Sequence, residues 1–324
     1  MECSLLSRTS QIIQSGGHPE LDHSTEKTED LHEENLSSRF ARRGSLRAQA
    51  QIGNNQVGTG RLDFVSFDFP LAGVIDTEAT AITPSGMIVG RYFTPDGHQH
   101  GFTLTNGQFQ SVDIPGAISV TDAAWVNARG NIVGGYNTAS TSPAYVLSAG
   151  VFMTIEYPGA TVTAGWGISN AGDVVGTEFT NNFFAAHGYL FRHGKFSTID
   201  VPNAQATWPT GVIDARTIVG TYFGADSLFH GFLLQQGKFS AIDFPNSTFT
   251  WITGTNPEGH IVGFYNLSDG VQHGFVLKNG KYISIDIPGA TGTEANGIDP
   301  QDDVVGRYYT ADGHTHGYFL AHVQ

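Results

Sequence analysis

Apolar and polar residues alternate along HGFLLQQGKFSAIDFP, from His230 to Pro245, on both sides of Gln236-Gly237. A two-residue X-Gly link between alternating runs predicts a β-hairpin with a tight turn. Folded there, His230 faces Asp243. HGFVLKNGKYISIDIP folds likewise at Asn279-Gly280 and sets His273 against Asp286; His187 faces Asp200 across His193-Gly194, and His100 faces Asp113 across Asn106-Gly107. In PAYVLSAGVFMTIEYP, turning at Ala149-Gly150, Pro143 takes the histidine slot and Glu156 the acid slot. Base and acid change in the same copy, so the two side chains are expected to touch, as a structural, charge-assisted hydrogen bond.

The hairpin belongs to a longer period. Pro70, Pro115, Pro158, Pro202, Pro245 and Pro288 are spaced by 45, 43, 44, 43 and 43 residues, and IVG-type glycines recur at Gly90, Gly134, Gly176, Gly220, Gly263 and Gly306. Four short strands per unit at this period predict an all-β, six-bladed β-propeller with four antiparallel strands per blade. The pattern starts with a lone last strand, DFVSFDFP (63 to 70), and ends with a lone third strand, HGYFLAHVQ (316 to 324). Pairing about 63–69 with about 316–321 would close the ring, set His316 against Asp68 and leave few free strand edges.

Residues 1–60 break the pattern: an acidic run from Glu20 to Glu34 precedes a basic cluster of Arg39, Arg42, Arg43 and Arg47, with no sustained period. This stretch is expected to be a disordered extension of a propeller spanning 61–324. Leu5, Leu6, Ile12 and Ile13 are too scattered for the apolar core of a signal peptide, so no export signal is visible.

Composition narrows the partners. A formal charge of -14 argues against nucleic acid or an anionic membrane surface, and the single cysteine, Cys3, rules out an internal disulfide framework or thiolate cluster. No apolar run reaches transmembrane length, and a monomer without cofactor is expected.

The H-G-[FY]-x-L...G-x-[FY]-x-x-[IF]-[DE]-x-P and [IV]-V-G-x-[YF] units over residues 64 to 324 resemble the bacterial HAF family of probable extracellular repeats. HGF or HGY replaces HAF in five copies and AYV stands in the sixth. The resemblance implies a secreted or cell-surface protein and assigns no catalytic residue.

A scaffold position should be alike in every blade, so differences between repeats mark candidate chemistry. At the head of the first strand stand Glu78, Asp122, Ala164, Trp208, Trp251 and Glu294, with Trp125 and Trp166 a few residues on. Tryptophans there serve as core or channel plug, or as a stacking platform beside carboxylates. Units one and six share Glu78 and Glu294, Arg91 and Arg307, and D-G-H-x-H turns with His98, His100, His314 and His316. The arginines could simply pair with the glutamates. The alternating histidines are weak metal candidates, since no third ligand is fixed by spacing. No established catalytic motif occurs. The expected function is therefore an extracellular binding propeller for a carbohydrate or an extended peptide at the axial mouth. The alternatives are a polysaccharide lyase or hydrolase using Glu78, Glu294, Arg91, Arg307 and a nearby histidine, or a purely structural module.

Overall fold

The structure, a computed structural model, describes residues 51–57, 60–180 and 182–323. Four four-stranded antiparallel sheets follow one another: β7 (Trp125–Val126), β8 (Ile132–Gly135), β9 (Ala144–Ser148) and β10 (Val151–Ile155); β11 (Val162–Ile168), β12 (Val174–Phe179), β13 (His187–Arg192) and β14 (Lys195–Ile199); β15 (Ala206–Asp214), β16 (Thr217–Phe223), β17 (Phe229–Gln235) and β18 (Lys238–Ala241); β19 (Phe249–Thr255), β20 (Ile261–Asn266), β21 (Gln272–Lys278) and β22 (Lys281–Ile285). Before them come β1 (Gln51–Val57), β2 (Gly60–Phe67), β3 (Asp76–Ile82), β4 (Ile88–Phe93), β5 (Gln99–Thr105) and β6 (Gln108–Val112), and after them β23 (Gly292–Ile298), β24 (Val304–Tyr309) and β25 (Thr315–Leu320). Among the described residues the one helical element is a 3-10 turn, Phe183–Ala185.

These outer strands form two further antiparallel groups. One is β3 to β6 in order; in the other β23 pairs β24, β24 pairs β25 and β25 pairs β2. The β2 to β25 ladder sets Phe64 against Leu320 and Phe67 against Gly317, joining the two ends of the described chain. A single parallel bridge, Thr315 to Asp76, links the two groups into one nine-stranded sheet. Residues 51–57, within the stretch expected to lack structure, instead form β1, antiparallel to β2. The strand covers an edge that β2 would otherwise leave unpaired. The rest of that expectation, residues 1–50, lies outside the described residues.

Each unit is built on the IVG glycine. A Cβ at Gly90, Gly134, Gly176, Gly220, Gly263 or Gly306 would overlap the carbonyl oxygen of Glu78, Asp122, Ala164, Trp208, Trp251 or Glu294 respectively. On the same glycines rest the third-strand rings Phe102, Tyr145, Tyr189, Phe232, Phe275 and Tyr318, each buried. Where that ring is tyrosine its hydroxyl donates to the seated carbonyl, at 2.7 Å for Tyr145 to Asp122, 3.0 Å for Tyr189 to Ala164 and 2.9 Å for Tyr318 to Glu294. Only a residue without a side chain lets a strand carbonyl and an aromatic ring share that place.

Directly after the seated residue the first strand slips register, at Ala79/Ala81, Gly165/Gly167, Pro209/Gly211, Ile252/Gly254 and Ala295/Gly297. In four units the bulged residue turns toward the neighbouring unit. Thr80 Oγ1 donates to Ala123 O at 2.6 Å, Thr210 Oγ1 to Ile252 O at 2.9 Å and Thr253 Oγ1 to Ala295 O at 2.6 Å. Asn296 Nδ2 makes the equivalent bond from the last unit to the first, reaching Ala79 O at 3.1 Å.

The hairpins turn where the X-Gly pairs stand. Gln236 and Gly237 have φ of 50° and 81°, the left-handed pair that a two-residue hairpin requires. All five histidine and aspartate pairs are in contact through Nδ1: His100 with Asp113 (2.7 Å), His187 with Asp200 (2.9 Å), His230 with Asp243 (2.9 Å), His273 with Asp286 (2.6 Å) and His316 with Asp68 (2.9 Å). Four of these imidazoles also face a second-strand tyrosine, as His230 does Tyr222 at 5.1 Å between ring centroids.

Burial tends to lower the His230 pKa, but the hydrogen bonds that its ring donates to Asp243 and Asp226 outweigh it and the net shift is upward. His316 is raised chiefly by its bond to Asp68. A histidine with a folded pKa above its unfolded value stabilises fully below about pH 6.5, and that contribution is lost as pH rises through the folded value. Replacing His230 with glutamine is therefore expected to cost about 1 kcal/mol at pH 6 and less at pH 8, by urea unfolding. An equal cost at both pH values would mean that the charged imidazole contributes nothing.

Candidate functional site

First-strand residues of every unit face one cavity of about 260 Å³, lined by Glu78, Thr80, Ala124, Trp166, Trp208, Thr210, Trp251, Thr253, Glu294 and Asn296, with Arg91, Phe264 and Arg307 from the second strands. Every unit contributes to it. The β3/β4 and β23/β24 ladders set Glu78 opposite Arg91 and Glu294 opposite Arg307, so one half of the wall is charged. Trp251 stands opposite Phe264 and Trp208 opposite Thr221 on the other half, which is aromatic.

The charged half is a single hydrogen-bonded chain. Arg91 donates from Nε and Nη2 to Glu78 at 2.8 and 2.9 Å, and from Nη1 to Asp122 at 3.3 Å. Arg307 donates from Nε and Nη2 to Glu294, both at 2.9 Å, and from Nη1 to Glu78 at 2.7 Å. Asn296 adds a donor to Glu78 at 3.2 Å, while Gln272 and the Tyr309 hydroxyl donate to Glu294 at 2.9 and 2.6 Å. Burial pushes the Glu78 carboxyl up, but the Arg307 and Arg91 guanidiniums more than offset this and hold it below the usual carboxylate range. Burial likewise works against the charge on Arg91 and Arg307, and their carboxylate partners raise both above the ordinary value. Asp122 differs: burial holds it above the usual range despite Arg91, and its Oδ1 is buried with no hydrogen-bond partner.

The sequence candidates separate here. Glu78, Arg91, Trp166, Trp208, Trp251, Glu294 and Arg307 meet in the cavity, and Asp122 lies behind Arg91. Trp125 does not reach it. The indole lies against Gly254, three units away, where an added Cβ would overlap the ring, and it lines a separate cavity of about 180 Å³ with Ile82, Asn127 and Thr255. Trp208 is only 1% exposed, because Phe183 from the 3-10 turn stacks on it at 4.9 Å between centroids and Trp251 packs at 5.6 Å. That leaves Trp166 and Trp251 as the partly open indoles, with Trp166 Nε1 anchored to Thr177 Oγ1 at 2.7 Å. The sequence reading missed Thr80, Thr210, Thr253, Asn296 and Phe264; a polar residue two places after the seated position was the available signal in four of these.

A carboxylate held ionised by two guanidiniums, as Glu78 is, is a poor general acid. Among the described residues no histidine lines this cavity. His98 with His100, and His314 with His316, sit at two other surface depressions with ring centroids 6.5 and 6.3 Å apart, and His100 and His316 are already bonded to Asp113 and Asp68. Among the described residues no three His, Cys, Asp or Glu side chains gather as a metal site. Among the described residues no helix is long and apolar enough to cross a membrane.

No family model matches the chain, and no curated protein sequence does. Solved structures are similar in fold. A gluconolactonase from Xanthomonas campestris aligns over 85% of this chain and 97% of its own, at 11% identity and a TM-score of 0.52. A putative TolB from Agrobacterium tumefaciens aligns over 76% and 91%, at 14% identity and 0.52, and TolB from Acinetobacter baumannii over 73% and 64%, at 13% and 0.51. Successive four-stranded antiparallel sheets and these likenesses together define an all-β fold of the β-propeller class.

Trp125 fills the space between opposed first strands, so its loss leaves a void that the surrounding sheets cannot close. Trp125→Ala is expected to lower the unfolding free energy by about 3 to 5 kcal/mol in a denaturant titration. A loss below about 1 kcal/mol would mean that the indole does not fill the space between these strands.

Proposed function

We propose that the chain is a six-bladed β-propeller, closed where β2 joins β25 as the outer strand of the sixth blade, and that it is a binding protein rather than an enzyme. Two features support closure: the β2 to β25 ladder, and the Asn296 to Ala79 bond, which repeats between last and first units the contact made between the others. The ligand, an extended peptide or a carbohydrate, lies at the axial mouth. One observation carries this reading: a single cavity gathers residues of all six repeats, aromatic on one side and hydrogen-bonding on the other. The resemblance to extracellular repeat proteins supports action outside the cell.

An array of glycans and peptides probed with residues 51–324 is the test. Trp166→Ala and Trp251→Ala are expected to weaken binding of the captured ligand about tenfold or more, without product formation from it. Turnover of the ligand, abolished by Glu294→Gln, would instead establish an enzyme. Ligand capture unaffected by either tryptophan would move the site elsewhere.

A further inference from the structure

We propose that the axial site takes an extended peptide through two of its apolar side chains, one seated in the cavity against Trp251 and one on an exposed aromatic rim around Phe184. This rests on the binding reading above and names the class of its ligand.

The aromatic wall continues beyond the cavity. Trp251 and Phe264 line the cavity itself, and Phe229 packs on Trp251 at 5.6 Å between ring centroids. Phe184 lies 6.3 Å from Phe229 and 5.7 Å from Phe223. Phe183, stacked on the cavity-lining Trp208, meets Phe184 at 5.8 Å. Phe183 and Phe184 are 38 and 52% exposed. Two of these places differ from unit to unit. Where unit four has Phe229 the others carry Gln99, Ser142, Ala186, Gln272 and Thr315, and the 3-10 turn that holds Phe183 and Phe184 occurs in unit three alone among the described residues. Five units fold without an aromatic ring at the Phe229 position, so packing within a unit does not require one there. Exposed phenyl rings contiguous with an open cavity mark a contact surface.

The spacing fits an extended chain. Two ring-to-ring steps, of 5.6 and 6.3 Å, lead from Trp251 through Phe229 to Phe184. In an extended peptide, side chains two or four residues apart point the same way and stand about 7 or 13 Å apart. One such side chain can therefore enter the cavity while the other rests on the rim. The chemistry favours a peptide over a sugar. The rim rings meet at steep angles, 83° for Phe183 with Phe184 and 54° for Phe184 with Phe229, which makes a notch for an apolar side chain rather than a flat face for a sugar ring. Phenyl rings also carry no polar atom to orient hydroxyls. In the cavity Thr80, Thr210 and Thr253 spend their hydroxyl hydrogens on neighbouring carbonyls, and the guanidiniums and carboxylates bond to one another. The threonine oxygens retain the capacity to accept from peptide N–H groups.

The experiment is calorimetric titration of the protein with capped heptapeptides of serine and glycine that carry two phenylalanines, spaced two or four residues apart. The same peptide without phenylalanine and cellohexaose, a neutral glycan, are the comparison probes. At least one two-phenylalanine peptide is expected to bind about tenfold or more tightly than either comparison probe. Phe184→Ser and Trp251→Ala should each weaken it about tenfold, and Phe184→Leu should keep most of the affinity. Because Phe184 is half exposed, both of its variants should unfold within a few degrees of the parent. Equal binding of a comparison probe, no binding by any probe, or an affinity unchanged by Phe184→Ser overturns the apolar-peptide assignment. The axial site survives each of these results if an array ligand is lost on Trp251→Ala, and falls, with this proposal, if array ligands are insensitive to Trp166 and Trp251 alike. A dimer in sedimentation that Phe184→Ser dissociates would give the rim to a second copy of the chain and would also overturn the assignment.

Discussion

Six glycines without room for a side chain set the geometry of this molecule. Each seats the carbonyl of one first-strand residue beneath a third-strand aromatic ring, and the strand then bulges by one residue in five of the units. The seated residue and the bulged one both line the shared cavity in several units, as Glu78 and Thr80, Trp208 and Thr210, and Glu294 and Asn296 do. Close packing inside a unit and presentation of side chains to the centre are therefore one device. The bulged Thr80, Thr210, Thr253 and Asn296 also bond to the next unit, which ties the local kink to the arrangement of the whole.

Units one and six carry the charged half of the cavity, and they come from opposite ends of the described chain. Arg307 bonds to Glu78 across 229 positions of sequence, and Ser66 Oγ meets the Tyr308 hydroxyl across 242, at 2.8 Å. Buried ion pairs add little net stability against an apolar alternative, but removing one member of such a chain is costly. Their effect here is to specify which units are neighbours.

Much of this was legible in the sequence because β-hairpin register is set by short turns. Fixing Gln236-Gly237 as a turn places His230 on Asp243 with no further information, and the same holds for the other three hairpins and, with the chain ends joined, for His316 and Asp68. Equivalence of Glu78 and Glu294 and the pairing of Arg91 and Arg307 with them were likewise readable from the repeats. Trp125 and Trp208 are less open than a stacking platform needs, for different reasons. Trp125 stands three places past the seated Asp122, where the other units carry Ala81, Gly167, Gly211, Gly254 and Gly297, and it lines the other cavity. Trp208 holds the expected position but is covered by Phe183, which belongs to a 3-10 turn present in one unit alone among the described residues. β1 was hidden because QIGNNQV has no alternation and gains its place by pairing with β2.

The central claim is that residues near both ends of the chain stand side by side in one cavity. A double-mutant cycle on unfolding free energy between Glu78→Gln and Arg307→Met tests it most directly. The account predicts a coupling of about 1 to 3 kcal/mol, since the two side chains share a buried hydrogen bond. Additivity within about 0.5 kcal/mol, with both variants folded, would contradict it.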